Sequence, residues 1–235
     1  MLLPSMRFAE KWASYIEELQ EVEAGLLSGI MTADALRFLT LHLPLSTHKR
    51  LLNIGAGDGT EALCLHQLGY DVTAIVLGEK NEKHARTLCG DKVRIVVCDM
   101  HDLDFPVGSF DSVYMNQTFE HSFAPFIFLL ELFAVLREGG RIWMSMPKFL
   151  EWDDPLAAVA PDINLIGPHH PNMLCPNLFR QYFAKTGFNI LYGGEDKNIN
   201  RDNNYLLERQ SLEDVNLRKE VRRALKRRLH TGGYE

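Results

Sequence analysis

The sequence has four cysteines, and no two of them form a C-x-x-C pair. Cys64, Cys89, Cys98 and Cys175 lie in apolar or mixed surroundings. That excludes a disulfide framework or zinc ribbon and reads as reduced thiols in a cytoplasmic protein. No apolar run approaches the roughly 18 residues that span a bilayer, so no membrane partner is expected. The opening stretch, MLLPSMRFAEKW, has no long apolar core followed by small residues, and no secretory signal is expected there. An excess of positive charge is also missing: 25 basic residues stand against 31 acidic ones, for a net charge of −6. A chain this acidic has no overall electrostatic footprint for nucleic acid. What is present is ordinary for a globular protein, with 46% hydrophobic and 24% charged residues in a chain of 235. That length suits one good-sized domain with appended elements.

Residues 6–27 place Phe8, Trp12, Tyr15, Ile16, Leu19 and Val22 at helical spacing, and a shorter helix is expected near 31–41. From residue 50 short apolar runs alternate with helical stretches. The runs are RLLNI (50–54), DVTAIVL (71–77), VRIVVC (93–98), FDSVYMN (110–116) and GRIWMSM (140–146). Between them, GTEALCLHQLG, EKNEKHARTLC and FAPFIFLLELFAVLRE carry apolar residues at three- and four-residue steps. Strands alternating with helices predict right-handed crossovers and a mainly parallel, doubly wound sheet of the Rossmann-like α/β class. After Met146 the rhythm breaks into a long stretch rich in Pro, Asp and His (147–175). PNLFRQYFAKTGF then reads as a helix from Pro176 stopped by Gly187, and NILYGG with NNYLLERQ as an antiparallel pair ending the sheet. The expected organisation is an N-terminal helical lid (1–45), a ligand-binding domain (46–210) and a basic C-terminal helix (211–235). That last segment reads either as a solvated amphipathic helix or as a contact surface for an acidic partner.

In LLNIGAGDGTEAL (51–63) three glycines alternate between an apolar run and a helix. A strand ending in glycines before a helix points backbone N–H groups at a ligand on the C-terminal edge of the sheet. A dinucleotide loop wants G-x-G-x-x-G, yet the place of the third glycine is Thr60. The Gly-Lys-Ser/Thr of a phosphate-cradling loop is absent. Asp58 would repel a pyrophosphate and suits a ligand carrying an ammonium group. The loop therefore favours a nucleoside that is not a dinucleotide.

This combination resembles the class I S-adenosylmethionine-dependent methyltransferases over roughly residues 50–147. LNIGAGDGT is similar to the family's first motif, VVCDMHDLDF to the stretch after its third strand, FDSVYMNQTFEHS to its fourth strand and following loop, and LREGGRIWMSMP to the lead into its fifth. The resemblance implies S-adenosylmethionine as cofactor. Gly55, Ala56, Gly57 and Asp58 would take its methionine end, and Asp99 with Met100 its adenine. Asn53 and Asn116 would line the same sheet edge. The family usually ends its second strand with an acid that accepts from the ribose hydroxyls, and here that place is Val76. Either Glu79 or Asn81 reaches back to the ribose or the backbone makes the contact; the cyclopropane synthases look similar in using a displaced amide there.

Beyond the fourth strand, Glu120 and His121 fall where the methyl group should point. One reading makes either of them a general base toward an alcohol or phenol acceptor, together with His169 or His170 of the long loop. Another gathers Gln117, Glu120, His121, His169 and His170 around a divalent metal. A third is structural, a helix-start Glu with a supporting His. The acceptor is expected to be a small molecule offering O or N. Two alternatives stand beside this reading: a methyltransferase-like binding module without turnover, and a nucleotide-dependent oxidoreductase, which Asp58, Thr60 and Val76 disfavour.

Overall fold

The computed structural model describes residues 33–146, 176–195 and 203–213. Most of the expected lid, the 147–175 loop with His169 and His170, Cys175 and nearly all of the basic tail lie outside the described residues. A helix, α1 (Ala33–His42), leads into an alternating series: β1 (Arg50–Ile54), α2 (Thr60–Gln67), β2 (Asp71–Val76), α3 (Glu79–Cys89), β3 (Arg94–Val97) and β4 (Phe110–Asn116). Then come α4 (Pro125–Val135), β5 (Leu136–Met146), α5 (Pro176–Lys185), β6 (Phe188–Glu195) and β7 (Asn203–Arg209). The strands form one sheet in the order β3-β2-β1-β4-β5-β7-β6. β1 to β5 run parallel, and β7 is inserted antiparallel to both β5 and β6. This is the predicted doubly wound sheet with its antiparallel final strand.

Strand alternation divides the core into two. Leu52, Ile54, Val113, Met115, Ile142 and Met144 pack against Phe128, Leu129, Leu132 and Phe133 of α4 and Phe179 and Phe183 of α5. Leu51, Ala74, Tyr114 and Trp143 face the other way, against Leu39 of α1, Ala62 to Leu65 of α2, and Ala85 and Cys89 of α3. Covering both faces is what lets β4 be buried along nearly its whole length. Cys64, Cys89 and Cys98 are free thiols, the first two buried. No helix of the described residues is long and apolar enough to cross a membrane.

One boundary differs from the expectation. The helical pattern of FAPFIFLLELFAVLRE continues to Glu138, but α4 stops at Val135 and Leu136 turns extended. Leu136 pairs with Phe110 at the start of β4, so strand pairing overrides the helical preference of Leu-Arg-Glu.

Candidate functional site

The chain leaves β1 and returns beside β2 on one side, then beside β4 on the other. The ends of β1 and β4 therefore form the switch point of the sheet, where such folds hold ligands. Two loops meet there. In the first, Gly55, Gly57 and Gly59 all have positive φ, at 74°, 55° and 92°. In the second, Gln117 is the one described non-glycine residue with positive φ, at 49°. The loops touch: a β-carbon on Gly55 would lie 2.7 Å from Cγ2 of Thr118. Gly59 serves packing, since a β-carbon there would come within 2.9 Å of Ala85 Cα in α3. Around Gly57, by contrast, nothing lies within 4 Å of where a β-carbon would stand. The middle of the loop faces open space, where backbone can approach a ligand closely.

Asp58 is partly committed to the loop itself: its Oδ1 accepts the Thr60 N–H at 3.0 Å, at the entry to α2. A residue of that helix that the sequence reading did not single out lies behind it. Glu61 Oε1 accepts from Asn116 Nδ2 at 2.7 Å and from the Tyr114 hydroxyl at 3.0 Å. Burial pushes the Glu61 carboxyl up to about 7, a rise to which Asp58 adds and which the two donors oppose. Tyr114 stacks on Trp143 with ring centroids 4.8 Å apart. Asn53 pairs in register with Tyr114 across β1 and β4 and is 1% exposed. Neither its amide nitrogen nor its oxygen has a hydrogen-bond partner among the described residues, and the same holds for the buried Trp143 Nε1. A buried amide left unpaired costs free energy, which a polar ligand in contact with it would recover.

Toward β2 and β3, Val76 is buried and apolar, with Leu77 exposed beyond it. Glu79 is exposed, whereas Asn81 folds back so that its Nδ2 donates to Leu77 O at 3.1 Å. Asp99 Oδ1 accepts from the His101 N–H at 2.9 Å and faces His101 Nδ1 at 2.7 Å. First through that backbone N–H and then through the ring, His101 holds the Asp99 carboxyl below its ordinary range. His101 Nε2 lies 2.8 Å from Ser122 Oγ, and Met100 packs on the core beneath. The connectivity is that of a Ser-His-Asp relay, but Ser122 is fully buried and its Oγ accepts the Ala124 N–H at 3.3 Å. The three residues tie the loop after β3 to the loop after β4 and expose no nucleophile.

Glu120 and His121 belong to a single 3-10 turn, Phe119–His121, and not to the start of α4. Glu120 is buried at 1% exposure, whereas His121 is exposed. Gln117, the other described member of the candidate metal set, has left-handed backbone and lies outside that turn. Among the described residues no three His, Cys, Asp or Glu side chains gather as a metal site.

Fold and switch-point crevice together define an α/β domain of the doubly wound, Rossmann-like kind. Over residues 52–144 the chain matches the methyltransferase-domain family model. It is 30% identical over 158 residues to the sarcosine/dimethylglycine N-methyltransferase of Halorhodospira halochloris, covering 65% of this chain and 56% of that enzyme. Against the demethylmenaquinone methyltransferase of Clavibacter sepedonicus, identity is 38% over 96 residues, or 40% of this chain and 39% of that one. The chain thus spans little more than half, or less, of the length of these relatives. A crystal structure of an S-adenosylmethionine-dependent methyltransferase from Methanosarcina mazei shares the fold, with a TM-score of 0.59 and 19% identity, covering 74% of this chain and 97% of that one.

Proposed function

We propose that this chain binds S-adenosylmethionine at the β1–β4 switch point and transfers its methyl group to a small molecule offering oxygen or nitrogen. The observation that carries this reading is the loop Gly55–Gly59, whose middle faces open space and which follows the strand bearing the unpaired amide of Asn53. The reading puts the methionine end over Gly55, Ala56, Gly57 and Asp58, beside Asn53 and Asn116. It puts the adenine against Asp99 and Met100. On the ribose side Asn81 is favoured over Glu79, because its amide is already drawn to the end of β2. When bound, the cofactor supplies a methyl group activated by a sulfonium, so the protein's contribution is positioning and exclusion of water. The reading gives His121, exposed in the turn beyond β4, the role of taking a proton from the acceptor, with its buried neighbour Glu120 in support. His169 and His170 belong to the same proposal from outside the described residues.

The relatives' names support a small acceptor: sarcosine and dimethylglycine in one, demethylmenaquinone in the other. The test is calorimetric titration with S-adenosylhomocysteine, with NAD as control. Micromolar binding of the first alone, roughly −8 kcal/mol, supports the reading. Binding of NAD alone would return the oxidoreductase reading to the front.

A further inference from the structure

The polar group behind the glycine loop contains a carboxylate with no evident structural need. Glu61 sits in the first turn of α2, yet it does not cap the helix; the N–H of Thr60 is satisfied by Asp58. Both donors that reach Glu61, Tyr114 Oη and Asn116 Nδ2, use the same oxygen, Oε1. The groups that face it are Asp58 from the loop, Tyr114 and Asn116 from β4, and the Cys64 thiol one turn along its own helix. None of these is cationic. A half-buried carboxylate with a second carboxylate nearby is an unfavourable arrangement unless a positive charge joins it. The neighbouring Asn53 and Trp143 add buried donors and an acceptor that lack partners. Carboxylates, unpaired amide and open loop converge on the same corner of the switch point.

We propose that Glu61, held by Tyr114 and Asn116, is the residue that pairs with the ammonium group at the amino-acid end of the bound cofactor. The assignment rests on the cofactor reading above and adds the group that recognises its positive end. Free Glu61 holds a proton near neutrality, and pairing with an ammonium releases it. Tyr114 and Asn116 act as positioning residues, because they fix Oε1 and leave Oε2 for the ligand.

The experiment compares two probes on the full chain and on E61Q: S-adenosylhomocysteine, which carries the ammonium, and 5′-methylthioadenosine, which lacks the amino-acid end. Wild type is expected to bind S-adenosylhomocysteine about tenfold more weakly at pH 6 than at pH 8, following a group that loses its proton near 7 on binding. Calorimetry in buffers of different ionisation enthalpy should show that proton leaving. E61Q should bind S-adenosylhomocysteine at least tenfold more weakly at pH 8, without the pH dependence, and 5′-methylthioadenosine as wild type does. Equal affinity of E61Q and wild type for S-adenosylhomocysteine would overturn the assignment and leave the cofactor reading standing, as would an equal loss for both probes. If wild type binds neither probe, the cofactor reading itself fails and the assignment with it. The wild-type pH profile decides the matter even if E61Q does not fold.

Discussion

His101 grips Asp99 through its Nδ1, 2.7 Å from Oδ1, and Ser122 through its Nε2, 2.8 Å from Oγ. With the proton on Nδ1 donated to Asp99, Nε2 accepts from the Ser122 hydroxyl, and one ring connects the loops after β3 and β4. On the proposed reading, the second oxygen of Asp99 accepts from the adenine amino group. H101A should therefore weaken S-adenosylhomocysteine and 5′-methylthioadenosine alike, by about tenfold or about 1.4 kcal/mol. This separates it from E61Q, which discriminates the two. Titration of both probes decides; unchanged affinities would mean that Asp99 needs no support from His101.

Gly55 and Gly57 predict opposite outcomes for the same substitution. At Gly55 a β-carbon meets the Thr118 side chain on a backbone of positive φ, so G55A combines strain with overlap. Its expected cost is about 2–4 kcal/mol of stability. At Gly57 the β-carbon meets nothing, so G57A should cost only about 1–2 kcal/mol from the backbone. It should nevertheless lose most of its S-adenosylhomocysteine affinity, because the new methyl occupies the ligand's approach. Thermal melts of the free proteins and titrations of both variants check the contrast. A G57A protein that binds normally would move the ligand off this loop.

What was legible in the sequence was whatever is written locally. EKNEKHARTLC forms a helix from Glu79 to Cys89 because Gly78 and Gly90 bracket an amphipathic run. The β1 run and its glycines placed the crevice for the same reason. The Glu61 cluster was not legible: its contacts join residues 53 and 55 positions apart, and in sequence Glu61 is simply an acid in a helical first turn. The role of His101 is likewise invisible locally, since Ser122 lies 21 positions away in sequence. Glu120 and His121 were read as an adjacent pair, but the 3-10 turn sends one inward and the other out. Long-range geometry, and not residue type, decides these roles.

At the opposite edge of the sheet, Asp111 carries a structural load. Arg50 Nη2 lies 2.8 Å and Arg137 Nε 3.0 Å from its Oδ1, and the Arg50 N–H donates to Oδ2 at 2.9 Å. Burial opposes ionisation there, but the hydrogen bonds from Arg50 and Arg137 prevail and bring the carboxyl down to about 2. Because the folded value is depressed, this contribution is complete above about pH 4 and disappears as pH falls through 2. D111N should cost about 2 kcal/mol at pH 7 and almost nothing near pH 2, with no change in cofactor affinity. Urea unfolding across that range measures it, and a loss independent of pH would point to packing instead of charge.

Glu61 carries the opposite sign. Its folded value is raised from 4.5 to about 7, so as pH climbs the unfolded chain ionises first. The free protein then loses stability between those values and does not regain it above them. The residue as a whole is only partly buried, so the loss is about 1–2 kcal/mol and not the full amount implied by the shift. E61Q should melt with wild type near pH 4 and a few degrees higher at pH 8, since Gln keeps an acceptor for Tyr114 and Asn116 but carries no charge. Saturating S-adenosylhomocysteine at pH 8 should reverse the order, because only wild type gains a charge pair on binding. If E61Q is the less stable of the two at pH 8 without ligand, the carboxylate is satisfied by the protein alone. A site poised for a cation would then have to be sought elsewhere in the crevice.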